Sequence, residues 1–264
     1  MVLVTPIFSA IFVGMQIKRM IPNLLTAGNL VGGILAIIFI LEGKPQTAAY
    51  CILISGVFDF LDGFAARLLK VQNEIGKQLD SLADMVTFGV APGLLVMHYI
   101  ELSLLAHGMT EFDYLKYGGL IIPVAALFRL AKFNLDSRQS DAFIGLPTPA
   151  MTIFFVGFLF FPAIDVDPNN FANDVFFAIM HPATLLTLTV IFSVLMVSEL
   201  PLFALKFKHF KWSGNEIRYI FLTISIVLLA TLFVWALPII ILLYIILSLI
   251  NNLTKKQTKD EIQS

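Results

Sequence analysis

The chain has 264 residues, 58% of them hydrophobic and only 13% charged, with 25 Phe, a mean hydropathy of +0.90 and a formal net charge of −1. A soluble domain carries roughly a quarter charged residues, so this composition excludes a disordered chain, a coiled coil and an ordinary soluble enzyme, and it points to an integral membrane protein. The balanced charge gives no footprint for nucleic acid, and the single Cys51 excludes an intramolecular disulfide framework and a CxxC metal site.

Residues 1–14 are apolar but precede the first positive charges, the reverse of a signal peptide. They are expected to form an extension ahead of Met15, lying against the membrane or disordered. Runs of the length that crosses a bilayer as a helix then cover 23–42, 47–70, 79–100, 117–134, 148–164, 177–199, 217–234 and 236–251. Pro238 favours a break between the last two. The tail 252–264 is polar. The expected fold is all-α and integral to the membrane, with about eight transmembrane helices. Its expected parts are an extension (1–14), one membrane domain (15–251) and a cytoplasmic tail (252–264).

Cytoplasmic loops are rich in Lys and Arg. With both termini placed in the cytoplasm, 15 of the 17 Lys and Arg fall inside, and only Lys44 and Lys116 stay outside. The outer loop 162–176 is acidic instead, with Asp165, Asp167 and Asp174.

Ionisable residues within a span are costly and usually functional. Four of the eleven aspartates fall between positions 59 and 84. Asp59 and Asp62 are three apart and share one helix face; Asp80 and Asp84 are four apart and share another. A tight reversal near Gly76 is expected to bring the two helices together as antiparallel neighbours. Converging carboxylates need neutralisation, and an all-oxygen set suits a hard divalent cation, Mg²⁺ or Mn²⁺. Gly63 and Ala66 leave a hollow on nearly the same face, and the planar fork of Arg67 suits a phosphate. Together these describe phosphoryl-transfer chemistry. Asp59 lies 12 residues beyond Thr47. That is about 18 Å of helix, which places the site in the inner half of the membrane, facing the cytoplasm. A single intramembrane Asp could equally hold helices together or line an ion path.

Written out, the segment reads D-x2-D-G-x2-A-R-x8-G-x3-D-x3-D (Asp59, Asp62, Gly63, Ala66, Arg67, Gly76, Asp80, Asp84). It resembles the signature of the CDP-alcohol phosphotransferases, membrane enzymes of phospholipid synthesis, at every fixed position. The resemblance implies that an alcohol attacks the lipid-bearing phosphate of a CDP-linked donor and that CMP leaves. It implies a divalent-metal site formed by Asp59, Asp62, Asp80 and Asp84, with Asp84 as general base, and commonly a homodimer. Gly63, Ala66 and Arg67 would hold the nucleotide and its phosphates. Asn23 and Thr26 are similar to the family's N-x-x-T contacts to the nucleotide; Thr26 could equally cap a helix, and Asn29 could be an interhelical amide.

Beyond the signature, P-N-L-L-T-A-G-N-L-x-x-G (22–33), M-V-T-F-G-V-A-P (85–92), R-L-A-K-F-N (129–134), F-I-G-L-P-T-P-A (143–150) and V-S-E-L-P-L-F-A-L-K (197–206) are similar to the phosphatidylserine synthases of bacterial and archaeal type. Lys132, Thr87 and Thr148 depart from the residues common there. This likeness implies CDP-diacylglycerol as donor, L-serine as acceptor and a prokaryotic inner membrane as location. Arg129 is the candidate for the serine carboxylate, or else it snorkels to the interface; Asn134 and Lys132 are further candidates. Gly145–Pro147 reads as a turn, Lys206–Lys211 as an inside anchor and Glu199 as a solvated charge. The competing readings are glycerol 3-phosphate or inositol phosphate as acceptor and, from another class, a cation transporter with the aspartates as its ion site.

Overall fold

The computed structural model describes residues 4–136, 142–158, 177–203, 211, 212 and 214–263. These residues are helical apart from turns and one pair of three-residue strands. They form two compact units, Met1–Ala91 and Pro92–Ser264.

The first unit is built from α1 (Val4–Leu41), α2 (Pro45–Leu68) and α3 (Glu74–Asp84), the last continuing directly into a π-helical segment, Met85–Val90. The helix of α1 passes through Met15 without a break, so the N-terminal extension runs on into the first span. Gly43, at φ +70°, turns the chain, and Pro45 at the first position of α2 starts the next helix. α1 packs against α2, α3 and the π segment. Small residues set these approaches. A Cβ on Gly32 would stand 2.0 Å from Ser55 Oγ on α2, and one on Gly33 would stand 2.3 Å from Thr87 Oγ1 on the π segment. Membrane helices associate through such small-residue contacts because lipid offers no hydrophobic drive for packing.

The reversal between α2 and α3 differs from the expected one at Gly76. Lys70 takes the left-handed conformation (φ 53°), and Asn73 caps α3 by accepting a hydrogen bond from the Gly76 N–H at 2.8 Å. Gly76 therefore lies in the first turn of α3 and not in the bend. An Asn with a free side-chain oxygen three residues ahead starts a helix more effectively than a glycine within it.

The second unit contains α4 (Ala91–Ala106, entered from the first unit), a 3₁₀ segment (Thr110–Leu120), α5 (Ile121–Leu135), β1 (Ala142–Ile144), α6 (Thr148–Gly157), α7 (Pro182–Val197), β2 (Pro201–Phe203), α8 (Glu216–Leu232) and α9 (Ala236–Gln263). Its core is aromatic: Phe154, Phe155 and Phe158 cluster with Phe192, whose ring stacks on Phe154 at 4.0 Å. β1 and β2 pair antiparallel, Phe143 opposite Leu202. The α9 side chains Tyr244 and Asn252 donate to the carbonyls of Phe203 and Pro201, at 3.0 and 2.6 Å. These bonds satisfy strand groups that two short strands cannot satisfy alone. Gly145 follows β1 at φ +75°, where a Cβ would meet the Met196 carbonyl oxygen at 2.4 Å. The chain breaks before α9 at Phe233–Trp235, where Phe233 has φ +50°; the interruption thus precedes Pro238.

Among the described residues, five helical stretches are long and apolar enough to cross a membrane: Lys18–Leu41, Pro45–Leu68, Glu74–Ala106, Thr110–Leu135 and Ala236–Thr254. Thr148–Gly157 and Pro182–Val197 are shorter apolar helices, and α8 has 17 residues. The fold is that of an all-α multi-pass membrane protein. The far half of the expected span 148–164, the acidic loop 162–176, Arg138 and the cations Lys206 and Lys208 lie outside the described residues.

Candidate active site

Each acidic pair lands on one helix. Asp59 and Asp62 lie on α2, Asp80 and Asp84 on α3, and the first unit contains all four. Carboxylate oxygens of Asp59, Asp62 and Asp80 come within 4.8 Å of one another. Asp59 also lies within hydrogen-bonding reach of both Asp80 and Asp84. Two carboxylates tolerate such closeness only with a proton or a cation between them.

The third wall is α1, which supplies two polar side chains. Thr26 Oγ1 donates to Asp62 Oδ2 at 2.5 Å and lies 3.0 Å from the Pro22 carbonyl oxygen. Thr26 sits in mid-helix, so it caps nothing; its hydroxyl orients a carboxylate of the cluster. Asn29, fully buried, donates from Nδ2 to Asp84 Oδ1 at 3.1 Å. Its own backbone carbonyl accepts from Thr87 Oγ1 at 3.1 Å. The π segment that carries Thr87 begins immediately after Asp84. Such bulges in helices are frequent at functional sites, because the extra residue re-aims the side chains beside it.

The donor set fits a hard divalent cation. It is all oxygen and anionic, and Asp80 Oδ1 is buried without a hydrogen-bond partner among the described residues. Asp84 adjoins the group through Asp59 and differs from the other three in also accepting a hydrogen bond from the Asn29 amide. The four residues thus form one linked set, in which the oxygens of Asp59, Asp62 and Asp80 could hold a cation and Asp84 carries the amide contact.

Gly63 and Arg67 lie beside Asp62. Arg67 is exposed and folds back over the bare face of Gly63, where a Cβ would lie 3.5 Å from one guanidinium nitrogen. Arg67 also acts electrostatically on Asp62, and Ala66 is half-buried next to it. Asn23 Oδ1 stands 3.8 Å from where a Gly76 Cβ would be, which places Asn23 at the first turn of α3.

Arg129 and Asn134 lie on α5, in the second unit. Arg129 is buried, with 5% exposure, which removes the snorkelling alternative. Its Nε donates to the Leu146 carbonyl oxygen, and the guanidinium lies 5.6 Å from the centre of the Phe133 ring. The Gly145–Leu146 bend frees a carbonyl, and Arg129 satisfies it. Asn134 is half-buried. Glu199 is an exposed charge, as expected, and it pairs with Lys132 at 2.5 Å. Sequence reasoning did not give Thr87 a role and left Asn29 as a generic interhelical amide. The usable signal was the i, i+3 spacing of Thr26 and Asn29 on one face of an otherwise apolar run.

Residues 19–250 match the CDP-alcohol phosphatidyltransferase family. The chain belongs to this family. Family membership sets aside cation transport as the use of the four carboxylates. Over 149 residues this CDP-alcohol phosphatidyltransferase is 34% identical to the CDP-diacylglycerol–serine O-phosphatidyltransferase of Bacillus subtilis, an alignment covering 54% of this chain and 78% of that one. It is also 34% identical over 148 residues to the Mycobacterium leprae protein of the same name, covering 53% of this chain and 47% of the relative. A third relative is the archaetidylserine synthase of Methanothermobacter thermautotrophicus, 31% identical over 136 residues, with 50% and 54% covered.

Proposed function

We propose that this protein transfers the phosphatidyl group of CDP-diacylglycerol to the hydroxyl of L-serine, releasing phosphatidylserine and CMP. The observation that carries the reading is the grouping of Asp59, Asp62 and Asp80 within 4.8 Å beside Asp84, which Asn29 orients. The serine acceptor rests on the names of the relatives and on the segments flanking the signature.

Asp59, Asp62 and Asp80 would hold Mg²⁺ or Mn²⁺, with Asp84 at the edge of the same set. A bound divalent ion offsets negative charge on the pyrophosphate as its bridge breaks. Arg67 neutralises phosphate oxygens over the open backbone of Gly63 and Ala66. Asn23 and Thr26 complete the nucleotide end of the site. Asp84 takes the proton of the attacking hydroxyl, because an alcohol is a poor nucleophile until a base within hydrogen-bond reach removes it. The serine oxygen bonds to the phosphorus that bears diacylglycerol, the bond from that phosphorus to the oxygen of CMP breaks, and CMP carries away the electron pair. No covalent enzyme intermediate is needed. Arg129, fixed by Leu146 and Phe133, and Asn134 are the candidates for the serine carboxylate.

In this reading residues 15–251 form the catalytic membrane domain, flanked by an N-terminal extension and a cytoplasmic tail. The site opens toward the cytoplasm from an inner membrane, and the enzyme works as a homodimer. A detergent assay with CDP-diacylglycerol and Mn²⁺ tests the acceptor by offering L-serine, glycerol 3-phosphate or inositol phosphate singly. CMP is expected with serine alone. CMP with either phosphorylated alcohol and none with serine overturns the reading.

A further inference from the structure

Asn29 has a hydrogen-bonding group to spare. Its Nδ2 is engaged by Asp84 and its backbone carbonyl by Thr87, yet its Oδ1 is buried and has no partner among the described residues. The residue itself has no exposed surface. A buried amide oxygen without a donor is unfavourable unless a partner arrives. Oxygen and nitrogen of one amide share a carbon and lie about 2.3 Å apart. With its nitrogen pinned to Asp84, Asn29 thus presents its oxygen beside the proposed general base.

The two atoms are both acceptors, the buried amide oxygen of Asn29 and a carboxylate oxygen of Asp84. A ligand that meets both brings two donors a short distance apart: a hydroxyl for Asp84 and a second N–H or O–H for Asn29. A 1,2-amino alcohol satisfies this, and its ammonium is favoured over a second hydroxyl because four carboxylates lie close by. We propose that Asn29 Oδ1 accepts a hydrogen bond from the ammonium of the acceptor, making Asn29 a specificity-determining residue. The proposal rests on the reading that serine is the acceptor.

The test compares kcat/KM for L-serine with that for 3-hydroxypropionate, which keeps the hydroxyl and the carboxylate but lacks the amine. Wild type, Asn29→Ala and Asn29→Ser are measured in detergent with Mn²⁺. Asn29→Ser removes the amide oxygen while keeping a polar side chain at the position. A thermal shift on adding CDP-diacylglycerol reports that each variant folds and binds the donor. Removing a hydrogen bond to a charged group should cut the preference for serine by roughly 10- to 100-fold, mainly through the KM for serine. A preference ratio that stays at the wild-type value in both variants overturns the proposal, even if kcat falls, because Asn29 would then act only on Asp84. If wild type itself releases no CMP with serine but does so with another acceptor, the functional reading has failed, and the two failures are told apart.

Discussion

Asp84 and the trio ask different things of the same side chain. A carboxylate that holds a cation needs its lone pairs directed at the ion, and in the proposed site Thr26 would do this for Asp62, whose Oδ2 it fixes. A carboxylate that takes a proton needs a defined orientation, which the amide of Asn29 would give Asp84 in the proposed role of base. Replacing Asp84 by Asn should therefore lower kcat by roughly 10²- to 10⁴-fold, with CDP-diacylglycerol binding retained. Near-wild-type turnover would remove Asp84 as the base. Thr26→Val should instead raise the Mn²⁺ concentration for half-maximal activity by roughly 10- to 100-fold, since groups that orient metal ligands carry effects of that size. An unchanged metal requirement would return Thr26 to a packing role. EDTA should stop CMP release in the wild type, and added Mg²⁺ or Mn²⁺ should restore it.

Elements carry these residues to one place through close contacts that tolerate no added bulk. A methyl on Gly33 would fall 2.3 Å from Thr87 Oγ1 and 3.0 Å from the Thr87 Cα, so neither α1 nor the π segment could stay where it is. Gly33→Ala should cost about 1–3 kcal/mol as over-packing, seen as a lower Tm in detergent, and should disturb activity because Thr87 holds the Asn29 carbonyl. Gly145→Ala should be at least as damaging, since its positive φ and the Met196 carbonyl both exclude a Cβ. A Tm at the wild-type value for either variant would contradict these contacts.

The acidic pairs were legible in the sequence because helical spacing alone puts residues three or four apart on one face. The site's third wall was less so. Nothing in an apolar run says which polar side chain turns inward, and a π segment has no sequence signature to announce it. The reversal was misplaced at Gly76 for a related reason: the bend is made by a left-handed Lys70, a conformation that sequence favours for glycine. The β1–β2 pair was missed because three residues give no period to read.

At the scale of the whole molecule, the proposed orientation depends on charge. Lys44 lies in the α1–α2 turn and Gln72 in the α2–α3 turn, at opposite ends of α2. A helix of 24 residues is about 36 Å long, enough to put those turns on opposite sides of a hydrocarbon core about 30 Å thick. The excess of Lys and Arg decides which side is which. Both positions are exposed, and Cys51, the only native thiol, can be replaced by Ala. In that background Lys44→Cys should react with a membrane-impermeant maleimide added to intact cells. It loses an exposed ion pair with Glu42 and a contact over the Phe39 ring at 6.0 Å, both worth little in stability at an exposed site. Gln72→Cys should react only after the cells are opened. Because the α2–α3 turn immediately follows Arg67 and precedes Asp80, the side on which Gln72 reacts is the side from which CMP leaves. Labelling of Gln72→Cys in intact cells would invert the proposed orientation and put nucleotide release outside, where no cytoplasmic pool of CDP-linked donor could be used.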